Sequence, residues 1–439
     1  MSTFTADRGP SRSSISRRRL FQSLAAASAG LAIVPRHVLG GAGFTPPSEQ
    51  PTRAVIGCGG MGTGHIKSIN TECRLLAVSD VDETRLATGV KNAVTGGSAD
   101  CKGYKDWREI LDRADIDIVH IPTPPHWHAL MSIAAAEAGK DIWCEKPLSR
   151  TIAEGERVVA AVQRHGRIFR LNTWFRFQSG YYGMNTPVKP IKRIVQNDML
   201  GWPLKVTLNS ATGFAWKLST WSGKPRLEPQ PVPAGLDYDM WLGPAPYKPY
   251  NPHRVHSTFR GYWDYDGGGL GDMGQHYLDP VQYILGKDNE SPVEVDVVET
   301  PPQHYDAVIP WTRVEIKYAD GCRIILDGAD RDKNAAFIEG PNGKIYPGLR
   351  TDPVNLAKQA ESMPEPEPQI TKFLDSVKTR RKFALNEANG HRSCTLVNLA
   401  KIALQLGRPL KFDPVTQRFP NDEAANRLAH QPMRGPWHL

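Results

Sequence analysis

Apolar and polar positions alternate in two different rhythms along this chain, and the change of rhythm divides it. From Arg53 a short apolar run, "RAVI", breaks at a glycine cluster, "GCGGMG", and continues in the mixed pattern of a helix. The unit then recurs: "RLLAVSDVD", "IDIVHIPTPP", "DIWCEKP" and "RIFRLN" read as strands, "HWHALMSIAAAEAGK" and "TIAEGERVVAAVQRHG" as helices. Short apolar runs alternating with longer helical patterns predict a parallel, doubly wound sheet. Beyond "RLNTWFRF" the period falls to two, in "LKVTLNSATG", "VEVDVVET", "TRVEIKYADG", "CRIILDGAD" and "AAFIEGPNGKIY". The turn tripeptides "ADG" and "PNG" predict hairpins, hence a mainly antiparallel sheet in an α/β second half. "QITKFLDSVKT" and "HRSCTLVNLAKIALQLG" read as amphipathic helices, and the tail "RFPNDEAANRLAHQPMRGPW" is expected to pack across the surface.

Between Gly213 and Tyr265 neither rhythm holds. This stretch carries Trp216, Trp221, Trp241, Trp263 and five tyrosines among many prolines. So many aromatic residues argue against disorder. Their flat faces suit a sugar ring, a subunit interface or an ordinary core.

The leading residues follow another logic. "SRSSISRRRLFQSLAAASAGLAIVPRHVLGG" places Arg17, Arg18 and Arg19 before a short apolar run, the layout of a twin-arginine export signal. That run is too short for a stable membrane span, which takes about 20 residues. We therefore expect residues 1–46 to be signal and linker, and the mature protein to be exported, periplasmic or otherwise extracytoplasmic. Setting them aside removes six arginines and one aspartate, so the formal charge of +8 falls to 48 minus 45, or +3. Much of the basic excess thus belongs to the leader, no concentrated Lys/Arg patch with interleaved aromatics remains, and nucleic-acid binding loses its main electrostatic support. The six cysteines form no CxxC pair or metal-finger spacing and read as scattered buried thiols.

The candidate chemistry sits at the breaks between elements. Gly57-x-Gly59-x-x-Gly62, with Gly60 and Met61 inside it, lies between a strand and a helix, the context of a dinucleotide fingerprint. Asp80 ends the next strand, where a carboxylate accepts ribose hydroxyls and favours NAD; nearby Arg85 keeps NADP open. These residues predict an N-terminal Rossmann domain over 47–172, followed by a substrate domain over 173–439. Thr123, Pro124, His128, Glu145 and Lys146 fall at or after strand ends and are expected beside the cofactor. His126 and His128 lack a third ligand cluster, so no metal site is expected. A second glycine run, "GGGLGDMGQHYLD", follows no apolar strand and so fails as a phosphate loop. It leads instead into a helix that sets Asp272 and His276, four apart, on one face. His276 suits a proton transfer by its intrinsic pKa, Asp272 is placed to orient it, and Lys146 is the other candidate base. Tyr181 and Tyr182 are further acid–base candidates.

"GCGGMG", "PTPPHWHALMSIAAAEAGKDIWCEKPLS" and "GGGLGDMGQHYLD" together closely resemble the Gfo/Idh/MocA oxidoreductases, over nearly the whole mature chain. The resemblance implies a Rossmann domain plus an α/β domain with a large antiparallel sheet. It also implies NAD or NADP as cofactor, a sugar, sugar derivative or cyclitol as substrate, and Lys146, Asp272 and His276 as catalytic residues; because free nicotinamide is scarce outside the cytoplasm, an exported member is expected to hold the cofactor tightly. A homo-oligomer is expected. The alternative activity is a glycosidase or lyase working by transient sugar oxidation and elimination, and a third reading is a non-catalytic sugar-binding relative.

Overall fold

The computed structural model describes residues 50–68, 73–173, 175–177 and 180–439; the expected leader lies outside them. The first sheet has six strands, β1 (Thr52–Ile56), β2 (Arg74–Ser79), β3 (Lys102–Tyr104), β4 (Ile118–Ile121), β5 (Asp141–Glu145) and β6 (Phe169–Asn172). Their order is β3-β2-β1-β4-β5-β6 and every pairing is parallel. The apolar runs of β1 and β4 are buried on both faces, as a sheet covered by helices on both sides demands. The covering helices include α1 (Gly60–Lys67), α2 (Glu83–Thr95), α3 (His128–Glu137) and α4 (Ile152–Arg164). From β1 the chain works outward to β3, then returns to β4 on the other side. That reversal opens a crevice beyond the carboxyl ends of β1 and β4.

The second sheet has eight strands in the order β13-β12-β11-β7-β10-β9-β8-β14. They are β7 (Lys205–Leu208), β8 (Glu294–Val298), β9 (Arg313–Lys317), β10 (Arg323–Asp327), β11 (Ile338–Gly340), β12 (Gly343–Tyr346), β13 (Arg350–Asp352) and β14 (Leu410–Lys411). Only β7 and β10 pair in parallel; the other pairings are antiparallel, including the β9–β10 and β11–β12 hairpins at "ADG" and "PNG". In β9 the alternation is literal: Val314 and Ile316 are buried while Arg313, Glu315 and Lys317 are half-exposed.

Two helices cover this sheet and bind the halves together: α5 (Gly268–Ile284) and α6 (Glu387–Leu406). The expectation of an amphipathic final helix is corrected here. α6 starts at Glu387, capped by the Asn386 side chain, and is buried around most of its circumference. It packs on α4, α5 and β8 at once, so no face is left for water. Cys394 joins the core of the first sheet, and Leu396, Val397 and Leu399 join that of the second. All six cysteines are buried and free.

The aromatic segment resolves mostly into core. Tyr238, Trp241, Tyr250, Phe259, Tyr262 and Tyr265 pack on one another as a small separate core, and Trp216 and Trp263 join the core of the second sheet. Leu236 bridges to Asp82, so this small core is laid against the end of β2. No helix among the described residues is long and apolar enough to cross a membrane.

Under α5 lies a fully buried ion pair. Arg176 donates to both carboxylate oxygens of Asp279, at 2.7 and 3.0 Å, and both side chains are 0% exposed. Arg176 also donates to both oxygens of Asp288, at 2.7 and 2.8 Å, so it is loss of the arginine that strands a charge away from water, at a cost of about 3–5 kcal/mol. Arg176→Ala is therefore expected to lower unfolding stability by about that amount, measured by urea titration of the mature chain.

Candidate active site

The crevice at the end of β1 has the features a dinucleotide requires. Gly57 turns the chain at φ +104°, and a Cβ at Gly62 would sit 1.8 Å from the Gly57 carbonyl oxygen. Only glycine at position 62 lets α1 approach the turn. At Gly60 a Cβ would meet nothing within 4 Å, and Gly59 at the start of α1 carries no side-chain cap. The first-turn amides of α1 thus stand over open space, where an anion is favoured. A cavity of about 360 Å³ runs from there past Asp80 and Thr123 to Lys146. Asp80 accepts the amides of Cys58 (2.7 Å) and Asp82 (2.9 Å), one on each oxygen, which leaves further lone pairs. Arg85 overhangs Gly59, its Nη1 2.8 Å from where a Cβ would lie. These residues fit a dinucleotide: Gly57, Gly59, Gly60 and Met61 at the pyrophosphate end, Asp80 toward a ribose, Thr123 and Pro124 toward the reactive ring.

Two sequence expectations change, those for His128 and Tyr181. His128 is not in the crevice; it is fully buried, with ring nitrogens 2.6 Å from the Pro147 carbonyl oxygen and 2.8 Å from that of Thr123. It braces the two loops that form the wall. His126 lies against the Trp241 carbonyl at 3.0 Å, away from His128's partners. Tyr181 is core, its hydroxyl donating to the Tyr277 carbonyl, whereas Tyr182 reaches a second cavity.

That second cavity, about 640 Å³, adjoins the first and shares Lys146, Arg260 and Asp272 with it. At the junction Lys146 Nζ donates to the main-chain carbonyl of Asp272 and, at 3.0 Å, to its Oδ1. Arg260 Nε donates to the same Oδ1 at 2.8 Å. Burial works to raise the Asp272 pKa, but Lys146 and Arg260 outweigh it and hold the carboxyl well below the usual carboxylate range. Asp272 is thus bound by both Lys146 and Arg260, and its charge also acts on His276. His276 lines the second cavity with its imidazole pKa pushed well down, by burial first and by Lys146 next. It is a neutral hydrogen-bonding group at neutral pH.

Glu145 lines both cavities but is anchored from behind. Its Oε1 lies 2.8 Å from His65 Nε2 and accepts from Asn172 Nδ2 at 2.6 Å, and His65 in turn contacts His120, Nδ1 to Nδ1, at 2.9 Å. Desolvation acts against its charge, yet His65, Asn172 and Lys146 lower its pKa overall. Sequence reasoning missed Arg260, His65, Asn172 and Asp266. The first lies among aromatics with no period, and the histidine and asparagine face the site only through the sheet order. Asp266 directly precedes the glycine run, and that adjacency was the available signal.

Two family models cover this chain. "Oxidoreductase family, NAD-binding Rossmann fold" matches residues 52–173, and "Oxidoreductase family, C-terminal alpha/beta domain" matches residues 184–439. The chain belongs to the Gfo/Idh/MocA family. Among curated relatives it is 32% identical over 164 residues to an uncharacterized oxidoreductase, YrbE, of Bacillus subtilis, covering 36% of this chain and 45% of that protein. It is 29% identical over 156 residues to inositol 2-dehydrogenase of Salmonella typhimurium, covering 35% and 43%. The chain thus spans less than half the length of these relatives. Among solved structures, the WlbA dehydrogenase of Bordetella pertussis, in complex with NADH and UDP-GlcNAcA, superposes with a TM-score of 0.55 at 16% identity, over 83% of this chain and 99% of that one. The aldose-aldose oxidoreductase of Caulobacter crescentus gives 0.52 at 20%, over 83% and 100%. At such identities these two share the fold with this chain.

As a Gfo/Idh/MocA protein with this crevice, the chain is expected to lose NADH affinity by at least about tenfold in Gly62→Ala, read by fluorescence titration. Asp272 also has a pH signature. Its folded pKa is depressed below the unfolded value of about 3.9, so the stability it contributes is present above that pH and lost as pH falls through the folded value. The melting-temperature gap between wild type and Asp272→Asn is expected to be open at neutral pH and to narrow in strong acid.

Proposed function

We propose that this protein moves a hydride between a nicotinamide cofactor and a secondary hydroxyl or ketone of a sugar, sugar derivative or cyclitol. One observation carries the reading: Lys146 stands where the nucleotide cavity opens into the second cavity, fixed there by Asp272. NAD, when bound, supplies the hydride acceptor or donor. The chain's own residues do the rest. Lys146 hydrogen-bonds the reacting oxygen and offsets negative charge as it develops, in a site screened from water. Arg260 shares Asp272 with Lys146, so the carboxylate steadies both cations without fully neutralising them. His276, kept neutral, offers a hydrogen bond to a neighbouring hydroxyl. Tyr182 and Lys217 complete the polar lining of the substrate side.

The inositol 2-dehydrogenases among the relatives support a polyhydroxylated substrate. The basic leader supports export of the folded protein. A homo-oligomer remains part of the proposal.

The test begins with purified protein denatured to identify any released NAD or NADP, followed by a screen of sugars and cyclitols for NADH formation. A substrate is expected from this panel, and Lys146→Ala is expected to lower kcat by about 10²- to 10⁴-fold with cofactor binding kept. A protein that binds no nicotinamide overturns the reading, and release of an aglycone from a glycoside without net NADH replaces it with the elimination reaction. Fractionation of cells making the full chain, with Arg17 and Arg18 both changed to lysine as the control, is expected to show export that the control loses.

A further inference from the structure

Lys217 lines the second cavity on a backbone held in an unfavourable shape. Its φ is +52°, in the left-handed region where a residue with a Cβ is strained. The chain on both sides keeps it there. The Tyr277 hydroxyl donates to the Ala215 carbonyl at 2.7 Å, Trp216 Nε1 donates to the Leu208 carbonyl at 2.9 Å, and the Lys217 carbonyl accepts the Trp221 amide at 3.1 Å. The Trp216 carbonyl also lies over the start of α5, where a Cβ at Gly269 would stand 1.9 Å from it. Packing thus enforces the turn without calling for a lysine, since a glycine adopts the same shape unstrained. Strain retained in a cavity wall points to a use for the side chain.

Five charged side chains line this cavity, and four of them are engaged. Glu145 is held by His65 and Asn172, and Lys146 and Asp272 hold each other. Arg260 donates to Asp272 and, through Nη1 at 3.1 Å, to the Ser257 carbonyl, with its guanidinium over Trp221 and Phe259. Lys217 is the exception: among the described residues its side chain has no hydrogen-bond or ion-pair partner, and the residue is exposed. Its charge is one of those that act on His276, so the ammonium is felt inside the cavity. Three cations against two carboxylates leave the lining with one positive charge in excess, and Lys217 is the cation without a counterpart.

We propose that Lys217 is an anion subsite of the second cavity and that the substrate is a sugar acid, whose carboxylate pairs with Lys217 while its reacting hydroxyl or ketone meets Lys146. The inference rests on the hydride-transfer reading above and deepens it by naming the substrate class. An ammonium on a flexible stem is a compact point charge that takes a carboxylate by a charge-assisted hydrogen bond. The single excess charge of the lining selects a carboxylate over a phosphate monoester, which carries about −1.5 to −2 near pH 7 and leaves negative charge uncompensated here. Pairing would give the strained lysine the partner that the protein itself does not provide.

The test is calorimetric titration of the full chain, with NAD present, by D-glucuronate, D-galacturonate and D-gluconate. Each acid is set against its neutral counterpart, D-glucose, D-galactose or D-glucitol, and glucose 6-phosphate serves as the phosphate arm. At least one acid is expected to bind at least about tenfold more tightly than its counterpart, and more tightly than the phosphate. That preference is expected to fall at least about tenfold in Lys217→Gln and to be largely kept in Lys217→Arg. Lys217→Gly, which relieves the backbone strain, is expected to lose the preference as well and decides the matter if Lys217→Gln fails to fold. Acids that bind no better than their counterparts, a preference for the phosphate, or a preference that survives in Lys217→Gln or Lys217→Gly overturns the proposal. NADH formation is read separately. A Lys217-dependent acid that binds without turnover counts against the hydride-transfer reading and leaves the subsite standing, whereas turnover of the neutral sugars with no preference for acids keeps that reading and overturns the subsite.

Discussion

The Asp272 carboxylate binds Lys146 and Arg260 at once, and those three side chains come from three parts of the chain. Lys146 leaves the end of β5 in the parallel sheet, Asp272 sits in the first turn of α5 under the antiparallel sheet, and Arg260 lies in the irregular aromatic segment. A single oxygen, Asp272 Oδ1, therefore fixes the relation between the nucleotide crevice, the second cavity and the wall between them. Lys146 and Arg260 face two carboxylates, Asp272 between them and Glu145 beside Lys146, so the cluster is close to balanced in charge. Burial first, and Lys146 next, keep His276 neutral.

Holding Asp272 in place depends on close approach of backbone. The start of α5 is overlaid by the Trp216–Lys217 chain, to the point that a Cβ at Gly269 would stand 1.9 Å from the Trp216 carbonyl oxygen. Lys401 runs beneath Gly267, and Asp266 folds in against Gly271. The glycine run is thus a packing device that lets a helix start be covered on several sides. α6, buried nearly all round, closes it from below and ties both sheets to it.

The fold was largely legible because most of its elements obey one of two periods. The parallel strands show as unbroken apolar runs, the antiparallel ones as alternation, and "ADG" and "PNG" mark hairpins that form. α6 misleads because a helix wedged between layers has apolar and small polar residues on every side, and a short window samples only part of that circumference. In the site, residues adjacent to a motif were readable: Gly57 to Gly62, Asp80, Lys146, Asp272. His128 misleads because a strand-end position places its backbone near the crevice while its ring turns inward to two carbonyls. Arg260 and His65 gain their meaning from contacts across 12 and 80 positions of sequence, to Asp272 and Glu145, and no local pattern encodes such a contact.

Asp266 and Asp279 show what burial means for two acids, one just before α5 and one well inside it. Asp279 is buried with Arg176 bound to both its oxygens, so its charge is compensated and it holds α5 to the segment that follows β6. Asp266 is equally deep, but its Oδ1 has no donor, and the nearest positive charges reach it through space while Asp272 repels. A carboxyl so placed is costly to ionise, and its ionised form gains support only through space, from Arg260 and Lys146 at the cleft and Lys401 beneath. An asparagine would fill the same volume without any ionisation cost, so packing alone does not call for an acid at position 266.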